Sequence, residues 1–299
     1  MMPTYVSFYL DDVAPYVASG GELLPVDASA LVDVLEYIRQ EGIRGAISVI
    51  PGMYTLLLRP KNSHERRFAE VVARLGEYPV DPHMEIMTHQ NLFDFSRMEQ
   101  TDGPSEAEWL DDPEVGVEEY KRYFLDTIIA GRELGVRYTG LSTPGTHPDM
   151  NPKVWEALLR LAEEGEFPNS AVPVFATIEE GDVPMEPRVR ARRDKLVVLD
   201  MPSGVWDYLA SWRNSPDWVD VDHYVDGEGG GHLASLIKAG SFMAIFHMHW
   251  QGLNPQTGLG WKPFQEMVGR LKSMFGGMIE WKRPSEIALE FAKGGGPSW

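Results

Sequence analysis

The stretch "YVSFYLDDVAP" (residues 5–15) is an apolar run that ends in two adjacent carboxylates, Asp11 and Asp12. Two like charges side by side repel each other, and each of them loses hydration free energy when it leaves water. Either the chain simply reaches solvent here and begins a turn, or the two carboxylates are placed for a purpose. The rest of the chain has to decide between these two interpretations.

The composition is that of an ordinary globular protein: of the 299 residues, 43% are hydrophobic and 24% are charged. The formal net charge of -18 argues against a nucleic-acid backbone or an anionic membrane surface as a partner, because both would repel the chain. Cysteine is absent, which excludes disulfides and thiolate ligands. Any metal ion must therefore be held by histidines and carboxylates.

The first residues show no basic segment followed by an apolar one, so the sequence predicts no secretory signal. No window approaches the roughly 20 apolar residues of a membrane span. We therefore expect a cytoplasmic protein, and the sequence does not indicate its oligomeric state.

Short apolar runs alternate with segments of helical periodicity. The runs predicted as strands are residues 5–10, 45–50, 83–89, 138–142, 172–177, 195–202, 241–247 and 277–281. The segments predicted as helices are residues 28–42, 118–135, 151–165 and 262–276. This alternation indicates a mostly parallel sheet covered by helices. We predict an α/β fold, namely a distorted (β/α) barrel of about seven parallel strands. A single domain would span residues 1–299, with long loops near 53–63, 95–117 and 203–230.

In such folds the chemistry lies at the carboxyl ends of the strands. The predicted strand ends carry the Asp11-Asp12 pair, His89, and the alternating histidines His247 and His249. Independent turns would have no reason to place acids and imidazoles so selectively at one end of a barrel. The pattern therefore favours a shared site over a simple turn.

Oxygen and imidazole ligands from separate strands suit zinc or a related divalent cation. One aspartate can bind the cation while the other stays free as a base that acts on water. His247 could then protonate a leaving amine or alcohol. Together these groups describe metal-assisted hydrolysis of an amide or an ester. The same residues also have plainer interpretations, since a lone His89 is more often a hydrogen-bonded strand end and an H-x-H pair also occurs as barrel lining.

Several aromatic residues could stack on sugar rings, although scattered aromatics are more often core or loop anchors. They are Trp206, Tyr208, Trp212, Trp218 and Trp250.

Four segments follow in the order of a known family: "FYLDDVAP" (8–15), "MEIMTHQNLFDFS" (84–96), "GLSTPGTHPDMNPKVWEALLRL" (140–161) and "GSFMAIFH" (240–247). In this order and spacing the chain resembles the polysaccharide deacetylase family, with its NodB-homology domain, of carbohydrate esterase family 4. The resemblance runs across most of the chain. It implies a distorted barrel and metal-dependent hydrolysis of N- or O-acetyl groups on a carbohydrate.

Carried over by position, the resemblance implies that Asp11 is the general base and His247 the general acid. It implies that Asp12 and His89 are ligands of a divalent metal, for which zinc is the first expectation. For substrate binding we expect Pro144 and Gly145, which lie in the segment that resembles the family's Arg-x-Pro-x-Gly motif, and also Trp250.

The sequence departs from the family at three positions, one of which is Val13, where the family has a glycine after the aspartate pair. The family's second metal-binding histidine falls at Phe93, and its motif arginine falls at Ser142. The third metal ligand is then Asp94, His147 or His249.

Three functions stay open at this point. The first is a metal-dependent hydrolase acting on an oligosaccharide or another small molecule. The second is a binding protein for a carbohydrate or another polar ligand on the same barrel. The third is a metal-independent C–N hydrolase of a small cyclic amide or ureide.

Overall fold

The computed structural model describes residues 2–19, 22–148, 150–181 and 184–295. Its strands are, in chain order, β1 Thr4–Asp11, β2 Tyr16–Ser19, β3 Glu22–Pro25, β4 Gly45–Val49, β5 Val80–Met84, β6 Asn91–Asp94, β7 Glu99–Ser105, β8 Gly140–Ser142, β9 Ala171–Phe175, β10 Arg188–Arg193, β11 Leu196–Asp200, β12 Met243–His249 and β13 Ile279–Trp281. Its α-helices are α1 Ala28–Glu41, α2 Ser63–Val72, α3 Glu106–Asp111, α4 Val117–Glu133, α5 Pro152–Glu163, α6 Val221–Tyr224, α7 His232–Lys238, α8 Trp250–Leu253, α9 Trp261–Phe275 and α10 Pro284–Glu290.

Within these residues, seven parallel strands lie side by side in the order β11-β9-β8-β5-β4-β1-β12. At the edge next to β11 lies β10, which is antiparallel, and β13 pairs with the first half of β1. Two separate antiparallel pairs, β2-β3 and β6-β7, decorate this sheet.

The segment 203–205, which follows β11, connects the two ends of the parallel sheet. The Gly204 N–H donates to the Ile245 carbonyl oxygen on β12 at 2.8 Å, and the Val205 carbonyl oxygen accepts from the His247 N–H at 3.1 Å. These bonds curl the sheet into a distorted barrel. The predicted (β/α) barrel with about seven parallel strands is confirmed.

The helices cover the barrel because each presents one apolar stripe to it, as α1 shows. The Asp27 side chain accepts from the Ser29 N–H at 2.9 Å at the start of α1, and Gly42, with φ of 64°, ends it. The buried residues of α1 between these signals recur at helical spacing: Leu31, Val34, Leu35 and Ile38. No helix in the described ranges combines the length and the apolar composition that crossing a bilayer requires.

Some predicted boundaries were wrong. The strand predicted at 83–89 ends at Met84, because Ile86 and His89 have φ of 49° and 60°, which a strand cannot accommodate. The segment 95–117 contains all of β7 and all of α3, and the segment 203–230 contains α6. These elements are short, and β7 is largely exposed, so their sequences carry little hydrophobic periodicity.

Asp81 on β5 attaches α10 to the barrel. Its carboxyl accepts hydrogen bonds from the N–H and Oγ of Ser285 at 2.7 and 3.0 Å. Burial raises the pKa of Asp81 to about 6, because the charged form loses its hydration. Since this pKa lies above that of the unfolded chain, the carboxyl stabilises the fold most below about pH 4. That contribution is lost as the pH rises to about 6.

We expect Asp81→Asn to remove this pH dependence, because an asparagine resembles the neutral carboxyl and keeps both contacts with Ser285. The free energy of unfolding of the variant relative to wild type should rise by about 2 kcal/mol between pH 4 and pH 7. Urea denaturation at both pH values measures this. Glu133→Gln, on an exposed part of α4, is the control and should show no such rise. An equal difference at both pH values would contradict the prediction.

Candidate active site

The carboxyl ends of β1 and β12 place their polar residues beside one another. The register pairs Asp11 with His249 and Tyr9 with His247. All four side chains are buried. A cavity of about 780 Å³ opens at this end of the barrel, and its lining includes Asp11, Asp12, His89, His247, His249 and Gln251, together with the aromatic side chains of Tyr54, Trp206 and Trp212. The structure therefore brings both aspartates and three of the candidate histidines to one cavity.

Asp12, Glu85 and His89 form a first group, called here the Glu85 cluster. The His89 Nε2 atom lies 3.1 Å from Glu85 Oε1 and 3.3 Å from Asp12 Oδ1. Both carboxylate oxygens are buried and have no hydrogen-bond partner. Burial alone would lower the pKa of His89, but the charges of Asp12 and Asp11 outweigh it and raise this pKa.

The Glu85 cluster fits a divalent cation. Metal–ligand bonds of about 2.0–2.2 Å in a tetrahedral site hold neighbouring ligand atoms about 3.3–3.5 Å apart, close to the two distances from His89 Nε2 in this cluster. Two buried carboxylate oxygens without partners call for a positive charge, because an unpaired buried acceptor is costly. Imidazole nitrogen and carboxylate oxygen are both ligand types that zinc binds in proteins. The residues present therefore fit such an ion.

Sequence reasoning missed Glu85 as a candidate third ligand. An acidic residue at the end of an apolar run, four positions before His89, was the available signal, but the run was interpreted as one strand to His89. Among the three candidates named from the sequence, His249 lies in the cavity but in a different group from Asp12 and His89.

The other two candidates lie elsewhere. The Asp94 carboxylate accepts from the N–H and Oγ of Ser96 at 2.9 and 2.6 Å and lines a separate cavity. Both ring nitrogens of His147 are engaged, Nδ1 at 2.9 Å from the Asp111 carboxylate and Nε2 at 3.1 Å from the Pro144 carbonyl oxygen. Neither residue is available to the Glu85 cluster, which corrects the expectation that one of them completes it.

The backbone before His89 is held by a buried glutamate. Glu106 accepts hydrogen bonds from the N–H groups of Met87, Thr88 and His89, the last at 2.7 Å. The Tyr123 hydroxyl donates to the same carboxyl at 2.6 Å. Burial raises the pKa of Glu106 to about 7. This network fixes the left-handed backbone that aims the His89 ring at Glu85 and Asp12.

Asp11 is oriented by Tyr9 and Ser48, whose hydroxyls donate to its Oδ1 at 2.8 and 2.9 Å. Ser48 also contacts the Glu85 carboxyl. Ser48 has a single hydroxyl proton, so its two contacts together require a proton on one of the two carboxyls. Accordingly, burial and then the charge of Asp11 raise the pKa of Glu85 far above its usual value. Ser142, at the position of the family's arginine, instead contacts the ring of buried His83 at 3.4 Å.

Asp11, His247 and His249 form the second group, called here the His249 cluster. The His249 Nδ1 atom lies 2.8 Å from the carboxylate of Asp207, which is fully buried. Burial would lower the pKa of His249, but its hydrogen bond to Asp207 outweighs this and raises it. The His247 Nε2 atom lies 3.5 Å from Asp11 Oδ2, and its ring stacks on Trp206 with centroids 5.3 Å apart.

The pKa of Asp11 lies well below its usual value. Burial pushes this pKa upwards, but the neighbouring Glu85 carboxyl and the imidazoles of His247 and His249 more than compensate. The two shifts have opposite directions: they favour the ionised form of Asp11 and the protonated form of Glu85.

Of the residues expected to bind substrate, one lines the cavity and another lies in the core. Gly145 lines the cavity, whereas the Pro144 carbonyl oxygen contacts His147. Trp250 is fully buried in the core, so it cannot contact a substrate, and this expectation is corrected. Phe93 packs in an apolar group beneath the β6-β7 hairpin.

Comparison with solved structures shows which proteins share this fold. No family model matches the sequence, and no curated protein matches it. The structure is similar to Puue allantoinase, with a TM-score of 0.56 and 11% identity over 97% of this chain and 90% of that chain. It is also similar to a protein from Parabacteroides distasonis described as a glycoside hydrolase/deacetylase, with a TM-score of 0.56 and 10% identity over 97% of this chain and 71% of the other.

A third similar structure is 4-alpha-glucanotransferase from Thermococcus litoralis, with a TM-score of 0.51 and 11% identity over 97% of this chain and 41% of that chain. At such low identities these likenesses show the fold alone. The fold expected from the resemblance to polysaccharide deacetylases is confirmed.

We expect the purified protein to bind one zinc ion per chain, and we expect Glu85→Gln to weaken this binding by more than about 100-fold. Loss of an outer partner alone costs about 10–100-fold, so loss of a ligand should cost more. Elemental analysis after dialysis and calorimetric titration with zinc measure this.

Asp94→Asn is the matched control and should leave zinc binding unchanged, since Asp94 lies outside the cluster. Undiminished binding by Glu85→Gln would show that Glu85 is not a ligand. Two zinc ions per chain would place a second ion at the His249 cluster.

Proposed function

We propose that the protein is a metal-dependent hydrolase that removes acetyl or similar acyl groups from a carbohydrate amide or ester. The observation that carries the proposal is that Asp12 and His89 of the Glu85 cluster line the same cavity as all three residues of the His249 cluster. Between them they supply a cation site, a carboxylate base and an imidazole acid. The aromatic walls and the volume of the cavity suit a sugar.

Asp12, Glu85 and His89 would hold the cation, for which zinc is the first candidate. Bound there, the cation would polarise the acyl carbonyl group and favour deprotonation of water. The three ligands come from the β1 end, the β5 end and the loop after β5. Binding of the cation would displace the proton that Glu85 otherwise carries.

Asp11 acts as the general base. Tyr9 and Ser48 hold its Oδ1 atom, which leaves Oδ2 to accept a proton from water as the water oxygen attacks the carbonyl carbon. The C–N or C–O bond then breaks, and the leaving nitrogen or oxygen must gain a proton.

We assign that proton to His249 rather than to His247, to which the sequence had assigned it. Asp207 binds Nδ1 of His249, which fixes the ring and leaves Nε2 to donate. A buried carboxylate on one ring nitrogen also stabilises the imidazolium that an acid requires. The Nε2 atom of His247 faces Asp11, and within the described residues no carboxylate pairs with the other ring nitrogen. The His247 ring packs instead between Trp206 and Tyr9.

One observation favours a second candidate, a metal-independent C–N hydrolase of a small cyclic amide or ureide. The His89 Nε2 atom is within 3.3 Å of both unpaired carboxylate oxygens, so a protonated His89 could neutralise them without a metal ion. Full activity of protein freed of metal by a chelator would decide for this second function.

We expect the protein to release acetate from chito-oligosaccharides or simple acetylated sugars. Asp11→Asn should lower kcat by about 100-fold to 10,000-fold, the range for loss of a general base. Acetate release measured under substrate saturation tests this. Zinc content serves as the control, because Asp11 is not assigned as a ligand. Unchanged acetate release in Asp11→Asn would show that Asp11 is not the general base.

The two histidines can be separated by a matched pair of variants. We expect His249→Gln to lower kcat by at least about 100-fold and His247→Gln by less than about tenfold, because His249 alone is assigned the proton transfer. Asp207→Asn should lower kcat as well, since it removes the partner of His249. A larger loss in His247→Gln than in His249→Gln would return the acid role to His247.

A further inference from the structure

The loop Leu209–Val219, called here the Trp212 loop, contributes Trp212 and Arg213 to the cavity. Its two ends pair with each other, and the Ala210 N–H donates to the Trp218 carbonyl oxygen at 2.9 Å. The loop therefore has a defined conformation rather than a merely connecting role.

Trp212 is 49% exposed, although its side chain is large and apolar. Scattered apolar residues on a surface are ordinary, but an exposed indole that also lines an acid–base cavity suggests a contact with the ligand of that cavity. The Arg213 guanidinium carbon lies 4.8 Å from the centre of the Trp212 ring and 5.5 Å from that of Trp218. The guanidinium thus packs over one face of the Trp212 indole and helps to fix it.

The backbone that presents Trp212 is strained. Ala210, Ser211 and Asn214 have φ of 72°, 57° and 46°, a region that alanine and serine seldom adopt. Such conformations persist only where the surroundings impose them, and they cluster at functional sites.

The surroundings of the Trp212 loop do impose this conformation. The Asn214 side chain donates to the Thr257 carbonyl oxygen and accepts from the Leu259 N–H, each at 2.9 Å. A Cβ atom at Gly260 would lie 2.0 Å from the Leu209 carbonyl oxygen, and one at Gly252 would lie 2.6 Å from it. Two glycines therefore let the segment after β12 pack directly against the loop and hold Trp212 in place.

We propose that Trp212 is a stacking platform for a pyranose ring of the substrate, at a subsite next to the ring that carries the acyl group. This inference rests on the proposed function and deepens it, because it makes the substrate an oligosaccharide. The C–H face of a pyranose is apolar and suits an indole, while Arg213 can donate to ring hydroxyls. A cavity of about 780 Å³ is far larger than an acetyl group requires and has room for sugar rings.

The test compares wild type with Trp212→Ala, Trp212→Phe and Leu259→Ala. Leu259 is a matched control, because it is 47% exposed on the neighbouring segment and is not part of the cavity lining. The dissociation constants of chitotetraose and of N-acetylglucosamine are measured by calorimetry, and acetate release is measured on the same two sugars. Thermal unfolding confirms that each variant is folded.

We expect Trp212→Ala to weaken chitotetraose binding about tenfold and to raise KM in proportion, with kcat nearly unchanged. Binding of the monosaccharide should change less than threefold, Trp212→Phe should restore most of the affinity, and Leu259→Ala should behave as wild type. An equal loss for monomer and tetramer, an equal loss in Leu259→Ala, or no chitotetraose binding by wild type would overturn the platform. If chitotetraose binding depends on Trp212 but no acetate is released, the stacking role of Trp212 is supported and the proposed hydrolase function is refuted.

Discussion

Three carboxyl groups, those of Asp11, Asp12 and Glu85, are buried close together at the carboxyl ends of β1 and β5, and the site depends on how their charge is balanced. Each desolvated carboxylate would be costly alone, and together they repel one another. The three carboxyl groups have different partners. Hydroxyls and imidazoles surround Asp11. Asp12 and Glu85 each have one oxygen without a hydrogen-bond partner, and both of these oxygens lie beside His89. A single positive charge placed between those oxygens would relieve the repulsion.

The parts of the chain outside the barrel strands serve this arrangement. Glu106, at the start of α3, binds the backbone that carries His89, and Tyr123 on α4 binds Glu106 in turn. On the other side of the cavity, Asp207 lies in the segment after β11 and binds both the N–H and the ring of His249 at 2.8 Å. Long connections that look irregular in sequence therefore supply the buried acids that hold the two histidines.

This division explains how much the sequence could predict. The barrel follows from local signals, because apolar strands and amphipathic helices alternate along the chain, and the aspartate pair and the H-x-H pair stand at recognisable strand ends. Glu85 was missed because it lies inside an apolar run, where the sequence alone does not distinguish a buried residue of the site from an ordinary strand residue. The role of Asp207 could not be predicted, because it depends on a contact between residues 42 positions apart. The exclusion of Asp94 and His147 depends on contacts that only the folded chain shows.

The adjacency of Asp11 and Asp12 has a geometric explanation. Consecutive residues of a strand point to opposite faces of the sheet, so two neighbouring aspartates in regular β-structure could not both reach one cavity. Asp11 is the last residue of β1, and Asp12 follows with φ of 62°, a left-handed conformation that aspartate tolerates better than most residues. The Asp12 N–H then bonds to Ser48 Oγ at 3.0 Å, and its carboxylate accepts from Gln251 at 2.9 Å. Because the chain leaves the strand between these two residues, one carboxylate faces His249 while the other faces His89, and a single dipeptide supplies both halves of the site.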